Sequence, residues 1–334
     1  MNIHYNNINN FLLVKDDKYK YLFFDIFCRN GELIIICPVY EPGFCGKYNT
    51  INHNDIRVFC QDIELEKIRT VTNNNPWEAT MIIIYSNIFL DNILNITVTY
   101  EDITKNYILK NENLTMDYNL TQTTLFKNDY RLIKFFYNYY TNHGIDFFYM
   151  YYNRSLNDNV INICKNKNIL LIEWEYHYWN YNSIDNDYAK TYNHHAQIGQ
   201  IQHALYKYCK PTSKYTLYND LDEYIYLYGN KIIDYIDETK YDFYRFTNFW
   251  AMTLNDGKPK KFPTKINRDK NQIDARSKCI YLNEKIDLVN IHFPKYDISK
   301  LNYIFLDNKD GYMIHFCNWT NGYRIIDDYD EIDL

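Results

Sequence analysis

The chain has 334 residues, of which 46% are hydrophobic and 18% aromatic, so it can bury a sizeable core and is not a disordered chain. Its formal net charge is −6 at pH 7, and it has no long basic run, which argues against a nucleic-acid-binding surface. The eight cysteines form no Cys-x-x-Cys pair, so zinc-ribbon and thiol-redox proteins are not indicated.

The N-terminal segment carries no basic region followed by an apolar run, so we expect no signal peptide. The longest apolar runs are too short to span a bilayer, and no transmembrane segment is expected. These patterns favour a soluble, intracellular protein. The richness in tyrosine, asparagine, isoleucine and lysine is typical of an AT-rich genome, which would suit a virus or protist.

The first third of the chain reads as a series of strands. Short β-branched or aromatic runs predict strands at Tyr21–Phe27, Leu33–Cys37, Ile56–Cys60, Met81–Tyr85 and Ile93–Tyr100. Turn residues separate these runs, and no helical pattern lies between them. Residues 1–115 are therefore predicted to form a β-rich, sandwich-like N-terminal domain with antiparallel pairing.

The pattern changes near Met116 to alternating strands and helices. The predicted strands are Asn119–Phe126, Phe147–Tyr152 and Ile169–Trp174, with helices around 132–140 and 156–165 between them. This order is typical of a parallel sheet with crossover helices. Residues 116–334 are therefore predicted to form a second domain of the α/β class.

A further helix, 195–208, and a strand, 215–218, lead to Asp220 and Asp222. In open α/β sheets, ligands bind at the carboxyl ends of the strands. Two neighbouring carboxylates need a positive partner, and a divalent cation such as Mn²⁺ or Mg²⁺ prefers such oxygen ligands. The alternative is that the two aspartates only stabilise a turn or cap a helix.

Five ordered stretches of the predicted second domain carry a recognisable pattern: Thr124–Asp129, Gly144–Ser155, Gln197 with the helix to Tyr208 and then Asn219–Ile225, Arg276–Tyr281 with Val289–Pro294, and Ile314–Phe316. Together they resemble glycosyltransferase family 92 and related family 2-like enzymes of the GT-A type. Asp129 and Phe316 depart from the usual glutamate and tyrosine. The resemblance implies a Rossmann-like nucleotide-diphospho-sugar transferase domain. It also implies transfer of a sugar, with inversion, from a UDP-linked donor to a glycan hydroxyl.

Family resemblance also assigns the metal ligands. Asp220 and Asp222 would bind the metal and the sugar diphosphate, Asp222 more directly. A histidine from the C-terminal part would complete the site, and of His292 and His315 the former is preferred. Either histidine could instead hydrogen-bond within the core.

The remaining predicted donor-binding residues flank the strand ends. They are Lys127, Asn128 and Asp129 for the nucleoside, Asn153 and Asp158 for the base or ribose, Asp220, and Arg276 and Lys278 for the diphosphate. The alternatives are helix N-capping for Asn128 or Asp129, turn formation for Asn153 and Asp158, and exposed surface charge for Arg276 and Lys278.

Inverting transfer also needs a carboxylate to take the acceptor proton. The candidates are Asp256 and Asp274, with Asp269 in the same stretch. Two other functions remain open: a glycan-binding protein with a degenerate transferase domain, and a nucleotidyltransferase. For the N-terminal domain, shaping the acceptor site, binding glycan and self-association into a homo-oligomer all remain open.

Overall fold

The computed structural model describes residues 8–15, 18–38, 51–72, 80–85, 92–115, 117–176, 196–237, 239–253, 262–292, 298–306, 309–319 and 326–334. In these residues the chain forms two large sheets, two smaller ones and a few short helices. None of the helices described there is both long and apolar enough to cross a membrane.

Among the described residues of the N-terminal part there are ten strands. They are β1 Phe11–Lys15, β2 Lys18–Phe23, β3 Asp25–Arg29, β4 Glu32–Pro38, β5 Arg57–Cys60, β6 Ile63–Glu64, β7 Lys67–Thr72, β8 Thr80–Tyr85, β9 Ile93–Tyr100 and β10 Ile103–Glu112. Strands β1 and β2 pair with each other, and the others form one sheet in the order β6-β5-β9-β10-β3-β4-β8-β7. Neighbours are antiparallel except β10 and β3, which meet in parallel. One cluster buries Ile26, Ile35 and Ile83 from one half of the sheet with Val58 and Ile96 from the other, so the halves share a core.

One predicted strand is wrong as a single element. The run Tyr21–Phe27 is divided between β2 and β3, with the break at Phe24. At this point the chain leaves its pairing with β1 and enters pairing with β4. A continuous hydrophobic run gives no sign of such a change of partner.

The described segments of the C-terminal part contain twelve strands and five helices. The strands are β11 Tyr118–Phe126, β12 Phe147–Tyr152, β13 Ile169–Glu173, β14 Ser213–Tyr218, β15 Glu223–Tyr226, β16 Phe243–Phe246, β17 Asn248–Met252, β18 Lys265–Gln272, β19 Lys278–Leu282, β20 Tyr303–Leu306, β21 Tyr312–Phe316 and β22 Tyr329–Asp333. The helices are α1 Ile133–Asn142, α2 Asp158–Cys164, α3 Ala196–Ala204, α4 Lys210–Thr212 and α5 Ile232–Tyr235, with a π-helical turn, Leu205–Cys209, between α3 and α4.

These strands form a seven-stranded and a five-stranded sheet. The larger has the order β13-β12-β11-β14-β19-β16-β20, and the smaller has the order β15-β21-β17-β18-β22. Strands β11 to β14 are parallel, which confirms the predicted parallel pairing with crossovers. Strand β19 runs antiparallel to both of its neighbours.

Strand β12 of the larger sheet is apolar on both faces because both of its faces are covered. On β12, Phe148 and Met150 face the cluster that includes residues of α1 and α2. Tyr149 and Tyr151, which alternate with them, face the cluster that includes residues of α3. This second cluster also contains Phe24, at the break between β2 and β3, together with residues of β3, β4 and β8, so α3 packs between the two large sheets. The domain boundary near residue 115 stays a prediction.

Candidate functional site

The Asp-x-Asp segment occupies a tight turn between two strands. The turn joins the end of β14 to the start of β15. The side-chain amide of Asn219 donates to Tyr140 Oη at 2.9 Å and to the Glu223 carbonyl at 2.8 Å. The backbone N–H of Asp220 donates to Glu223 Oε2 at 2.8 Å. These hydrogen bonds fix the backbone conformation of the turn and hold its carboxylates at the carboxyl end of β14.

A buried lysine bridges two carboxylates of the turn region. Lys278 Nζ lies 3.0 Å from Asp220 Oδ2 and 3.2 Å from Glu223 Oε2, and the lysine side chain is 2% exposed. The pairing of β19 with β14 brings it there from another part of the chain. The other oxygen of Asp220, Oδ1, accepts a hydrogen bond from Gln197 Nε2 of α3 at 3.2 Å. Lys278, predicted as a diphosphate ligand, is therefore a counter-ion inside the protein.

Asp222 and His315 form a second group beside the first. Asp222 Oδ2 lies 3.5 Å from His315 Nε2, and the two side chains are 9% and 19% exposed. His315 stands directly opposite Glu223 in the pairing of β21 with β15, and its Nδ1 lies 3.5 Å from Glu223 Oε1. This group is mostly buried yet retains access to solvent.

Burial and charge shift the pKa values in opposite directions here. Burial opposes the protonated form of His315, but Asp222 and then Glu223 outweigh it and raise the pKa of His315 to about 9. Burial also opposes the charged form of Lys278, but Asp220 and Glu223 raise its pKa. Burial raises the pKa of Glu223, against the effect of Lys278. The cluster thus combines three carboxylates with two basic groups that hold their protons firmly.

The predicted nucleoside-binding residues lie at the same edge of the sheet. They follow β11, which runs parallel to β14 and beside it. Lys127 and Asn128 are exposed, and Asp129 is half-buried. Burial and then the charge of Asp222 raise the pKa of Asp129, so the two carboxyl groups lie within electrostatic range. The structure therefore brings this segment together with the Asp-x-Asp turn.

The two residues predicted for the base or ribose differ in their surroundings. Asn153 is buried at the end of β12, and its Nδ2 donates to the carbonyls of Trp174 and Tyr176 at 2.8 and 2.7 Å. It therefore ties β12 to the chain that follows β13. Asp158 is exposed in the first turn of α2, where the neighbouring Asn157 is the N-cap residue.

The segment before β19 holds another predicted diphosphate ligand and one candidate base. Arg276 is exposed. Asp274 Oδ1 accepts a hydrogen bond from Thr247 Oγ1 at 2.7 Å, which gives this carboxylate a partner within the protein. Asp269 accepts from the backbone N–H of Asn271, two residues later. Asp256 lies outside the described residues.

The two candidate histidines are placed differently. His315 lies against Asp222, as described above. The carbonyl of His292 accepts a hydrogen bond from Cys279 Sγ at 3.5 Å. Sequence reasoning preferred His292, but the structure puts the other histidine beside the carboxylates.

Two contributors to the site were not among the predicted site residues. Glu223 follows Asp222 directly and lies in a segment that carries the resemblance, but neither fact shows that its carboxylate is buried. Gln197 belongs to a segment that carries the resemblance, but the sequence does not show that it reaches Asp220. The resemblance was an available signal for both residues, and adjacency to the motif was a second one for Glu223.

The described part of the chain contains no group of three or more His, Cys, Asp or Glu side chains already arranged around a metal position. The pair whose donor atoms best suit a divalent cation is Asp222 with His315, because a carboxylate oxygen and an imidazole nitrogen lie close together there.

The model of glycosyltransferase family 92 matches residues 121–331, well over half of the chain.

The chain belongs to glycosyltransferase family 92. The family 92 match begins within β11 and ends within β22, so it covers both sheets of the C-terminal part, the Asp-x-Asp turn, Lys278 and His315. A search of curated proteins finds no match. As a family 92 member the protein is a glycosyltransferase, which favours glycosyl transfer over the nucleotidyl transfer and simple glycan binding that the sequence left open.

Proposed function

We propose that this family 92 enzyme uses a UDP-linked sugar as donor and a glycan hydroxyl as acceptor, with Mn²⁺ or Mg²⁺ and with inversion at the sugar carbon. The proposal includes a GT-A domain that follows a β-rich N-terminal domain. The observation that carries it is the convergence of Asp222 Oδ2 and His315 Nε2 at the carboxyl edge of the parallel strands. A nucleotide site is expected at that edge of an open α/β sheet.

The donor atoms of this pair suit the proposed ion. Carboxylate oxygen and imidazole nitrogen are both ligands of Mn²⁺. Asp222 and His315 would hold the ion, which would neutralise the negative charge that develops on the departing diphosphate. Because the pKa of His315 is about 9 without an ion, binding should release a proton from this ring.

The residues around Asp222 and His315 set the charge and the orientation of the neighbouring carboxylates. Lys278 shares its single positive charge between Asp220 and Glu223 and so reduces the repulsion among the carboxylates beside Asp222. Lys278 and Gln197 fix both oxygens of Asp220 and therefore orient its carboxylate. The exposed Lys127 and Asn128 remain the proposed contacts of the nucleoside, and exposed Arg276 that of the diphosphate.

The proposed base follows from inversion, since a carboxylate must take the proton of the acceptor hydroxyl. Asp256 is the preferred candidate, because Asp274 is already engaged by Thr247. The anomeric configuration of the product, read by NMR at the first turnovers, tests inversion. Retention of configuration would overturn that part of the proposal.

The binding test measures unfolding of the protein with UDP, with Mn²⁺, with both, and with chelator. At ligand concentrations about 100 times Kd, UDP plus Mn²⁺ should stabilise the protein by about 2.7 kcal/mol. Asp222→Asn should abolish this gain. Asp234→Asn is the matched control, because Asp234 is an exposed carboxylate of α5 and should keep the gain.

Three results separate the parts of the proposal. No stabilisation of the wild type by UDP and Mn²⁺ would refute the donor and metal assignment. An unchanged gain in Asp222→Asn would refute the site. Release of a different nucleotide from a donor panel would replace UDP while leaving glycosyl transfer in place.

A further inference from the structure

A buried charged cluster joins the N-terminal sheet to helix α3 and its π-helical extension. Asp25 of β3 is fully buried, and its Oδ2 accepts hydrogen bonds from Lys207 Nζ at 2.6 Å and from His203 Nε2 at 2.8 Å. Its Oδ1 accepts from the backbone N–H of Asn9 at 2.7 Å. We call Asp25, His203 and Lys207 the Asp25 cluster. Its members come from opposite halves of the chain.

The protonation states of this cluster follow from its contacts. Burial opposes the charge of Asp25, but Lys207 and His203 outweigh it and lower the pKa of Asp25. Burial lowers the pKa of His203 to about 4, so the ring is neutral at pH 7. Nε2–H of the ring therefore donates to Asp25, and Nδ1 accepts from Tyr151 Oη at 2.8 Å. Such directional bonds define one position of α3 between β3 and β12.

A close approach fixes the same helix at a second point. A β-carbon at Gly199 would lie 2.8 Å from Phe24 Cδ2 and 2.9 Å from Phe24 Cζ, closer than real contacts allow. Glycine inside a helix costs about 1 kcal/mol relative to alanine, so its presence at the middle of α3 reflects a packing demand. The Phe24 ring thus limits how closely α3 can approach the N-terminal sheet.

Helix α3 also contacts the seven-stranded sheet of the C-terminal part. Gln200 Nε2 donates to Thr123 Oγ1 of β11 at 2.8 Å. One turn earlier, Gln197 Nε2 donates to Asp220 Oδ1 at 3.2 Å. A displacement of α3 toward or away from the N-terminal sheet therefore moves the group that orients Asp220.

We propose that the N-terminal sheet is part of the transferase machinery, with Asp25 and Phe24 as positioning residues that act on Asp220 through α3 and Gln197. This gives the N-terminal part a task that neither separate glycan binding nor self-association supplies. The inference rests on the proposed UDP site, because the readout is the occupancy of that site.

The test is a double-mutant cycle on the full-length chain, with UDP affinity measured by calorimetry at saturating Mn²⁺. Asp25→Asn in the wild type should raise the Kd of UDP about tenfold, within the range of indirect coupling effects. In the Gln197→Ala background the same change should raise Kd by less than about twofold, since the route to Asp220 is already broken. Val58→Ala, a buried change in β5 that contacts the core of the N-terminal sheet, is the stability control and should leave Kd unchanged.

A second set of variants covers the case in which Asp25→Asn does not fold. Gly199→Ala should weaken UDP binding by pushing α3 from Phe24, and Phe24→Leu should restore binding in that background by making room. A purely structural role would not predict this rescue. Equal effects of Asp25→Asn in both backgrounds, no effect at all, or an equal effect of Val58→Ala would overturn the proposal.

Hydrogen exchange separates failure of this inference from failure of the proposed function. Asp25→Asn should increase amide exchange in 196–204 and 219–223, whereas Val58→Ala should not. If the wild type binds no UDP, the UDP proposal fails and this exchange pattern alone decides whether the N-terminal sheet positions the turn. Unchanged exchange in 219–223 would refute the coupling.

Discussion

Removal of the lysine at the centre of the site tests how the carboxylates are held. In Lys278→Met the ammonium disappears while a similar volume remains, so Asp220 and Glu223 lose their shared cation. Breaking a buried ion pair from one side costs about 3–5 kcal/mol, because it leaves an uncompensated charge. The Asp220 side chain is 34% exposed, so solvent screens its charge and reduces the cost of leaving it unpaired. The Glu223 side chain is only 2% exposed and accounts for most of the cost.

We therefore expect Lys278→Met to lower the free energy of unfolding by about 3 kcal/mol at pH 7. Urea unfolding in the presence of chelator, so that no added ion replaces the ammonium, measures this as a lower midpoint at unchanged slope. Lys265→Met removes an exposed lysine whose side chain is 64% exposed, and this control should cost less than about 1 kcal/mol.

A second change tests the reason for the loss. Glu223→Gln in the Lys278→Met background removes the stranded charge and should recover more than half of the lost stability. A loss below about 1 kcal/mol in Lys278→Met would refute the reasoning, because breaking a buried ion pair should cost about 3–5 kcal/mol. The reasoning would also be refuted if Glu223→Gln restored none of the lost stability, because the loss would then come from packing and not from an unpaired charge.

Two further predictions concern pH and the role of a buried amide. Burial lowers the pKa of both His53 and His203 to about 4, so the unfolded chain takes up protons first as pH falls. The free energy of unfolding should keep its full value above about pH 6.5 and fall towards pH 4, by at most about 1.4 kcal/mol per pH unit for each histidine. In urea unfolding at a series of pH values, His53→Gln should make this fall with pH less steep. Asn153→Ser should lower stability by about 1–3 kcal/mol, because two carbonyls lose their donor, while the Kd of UDP changes little. A large rise in Kd without loss of stability would instead support the predicted contact with base or ribose.

Most strands of this protein could be predicted because their residues are β-branched or aromatic and turn residues separate them. The strand before Asp220 was recognised in this way, and its carboxyl end gave the position of the site. The break at Phe24 could not be predicted, because it depends on a change of pairing partner that a continuous apolar run does not record.

The partners of the site residues were harder to predict than the residues themselves. Lys278 meets Asp220 only because β19 turns back beside β14, 58 residues later in the chain. His315 meets Asp222 through the pairing of β21 with β15, which no local pattern in the sequence indicates. Asp25 resembled an ordinary polar residue in a strand, since nothing near it in the chain supplies its cation.

The Asp25 cluster also sets a condition on the order in which the chain can mature. Asp25 is synthesised 178 residues before His203 and 182 before Lys207. Until those residues leave the ribosome, the carboxylate must stay hydrated, and the surface around Phe24 and Phe27 that later covers α3 must stay open to solvent. If the N-terminal sheet forms during synthesis, its apolar face is therefore exposed until α3 has been made. Intermediates with exposed apolar surface are bound by chaperones and are prone to aggregate.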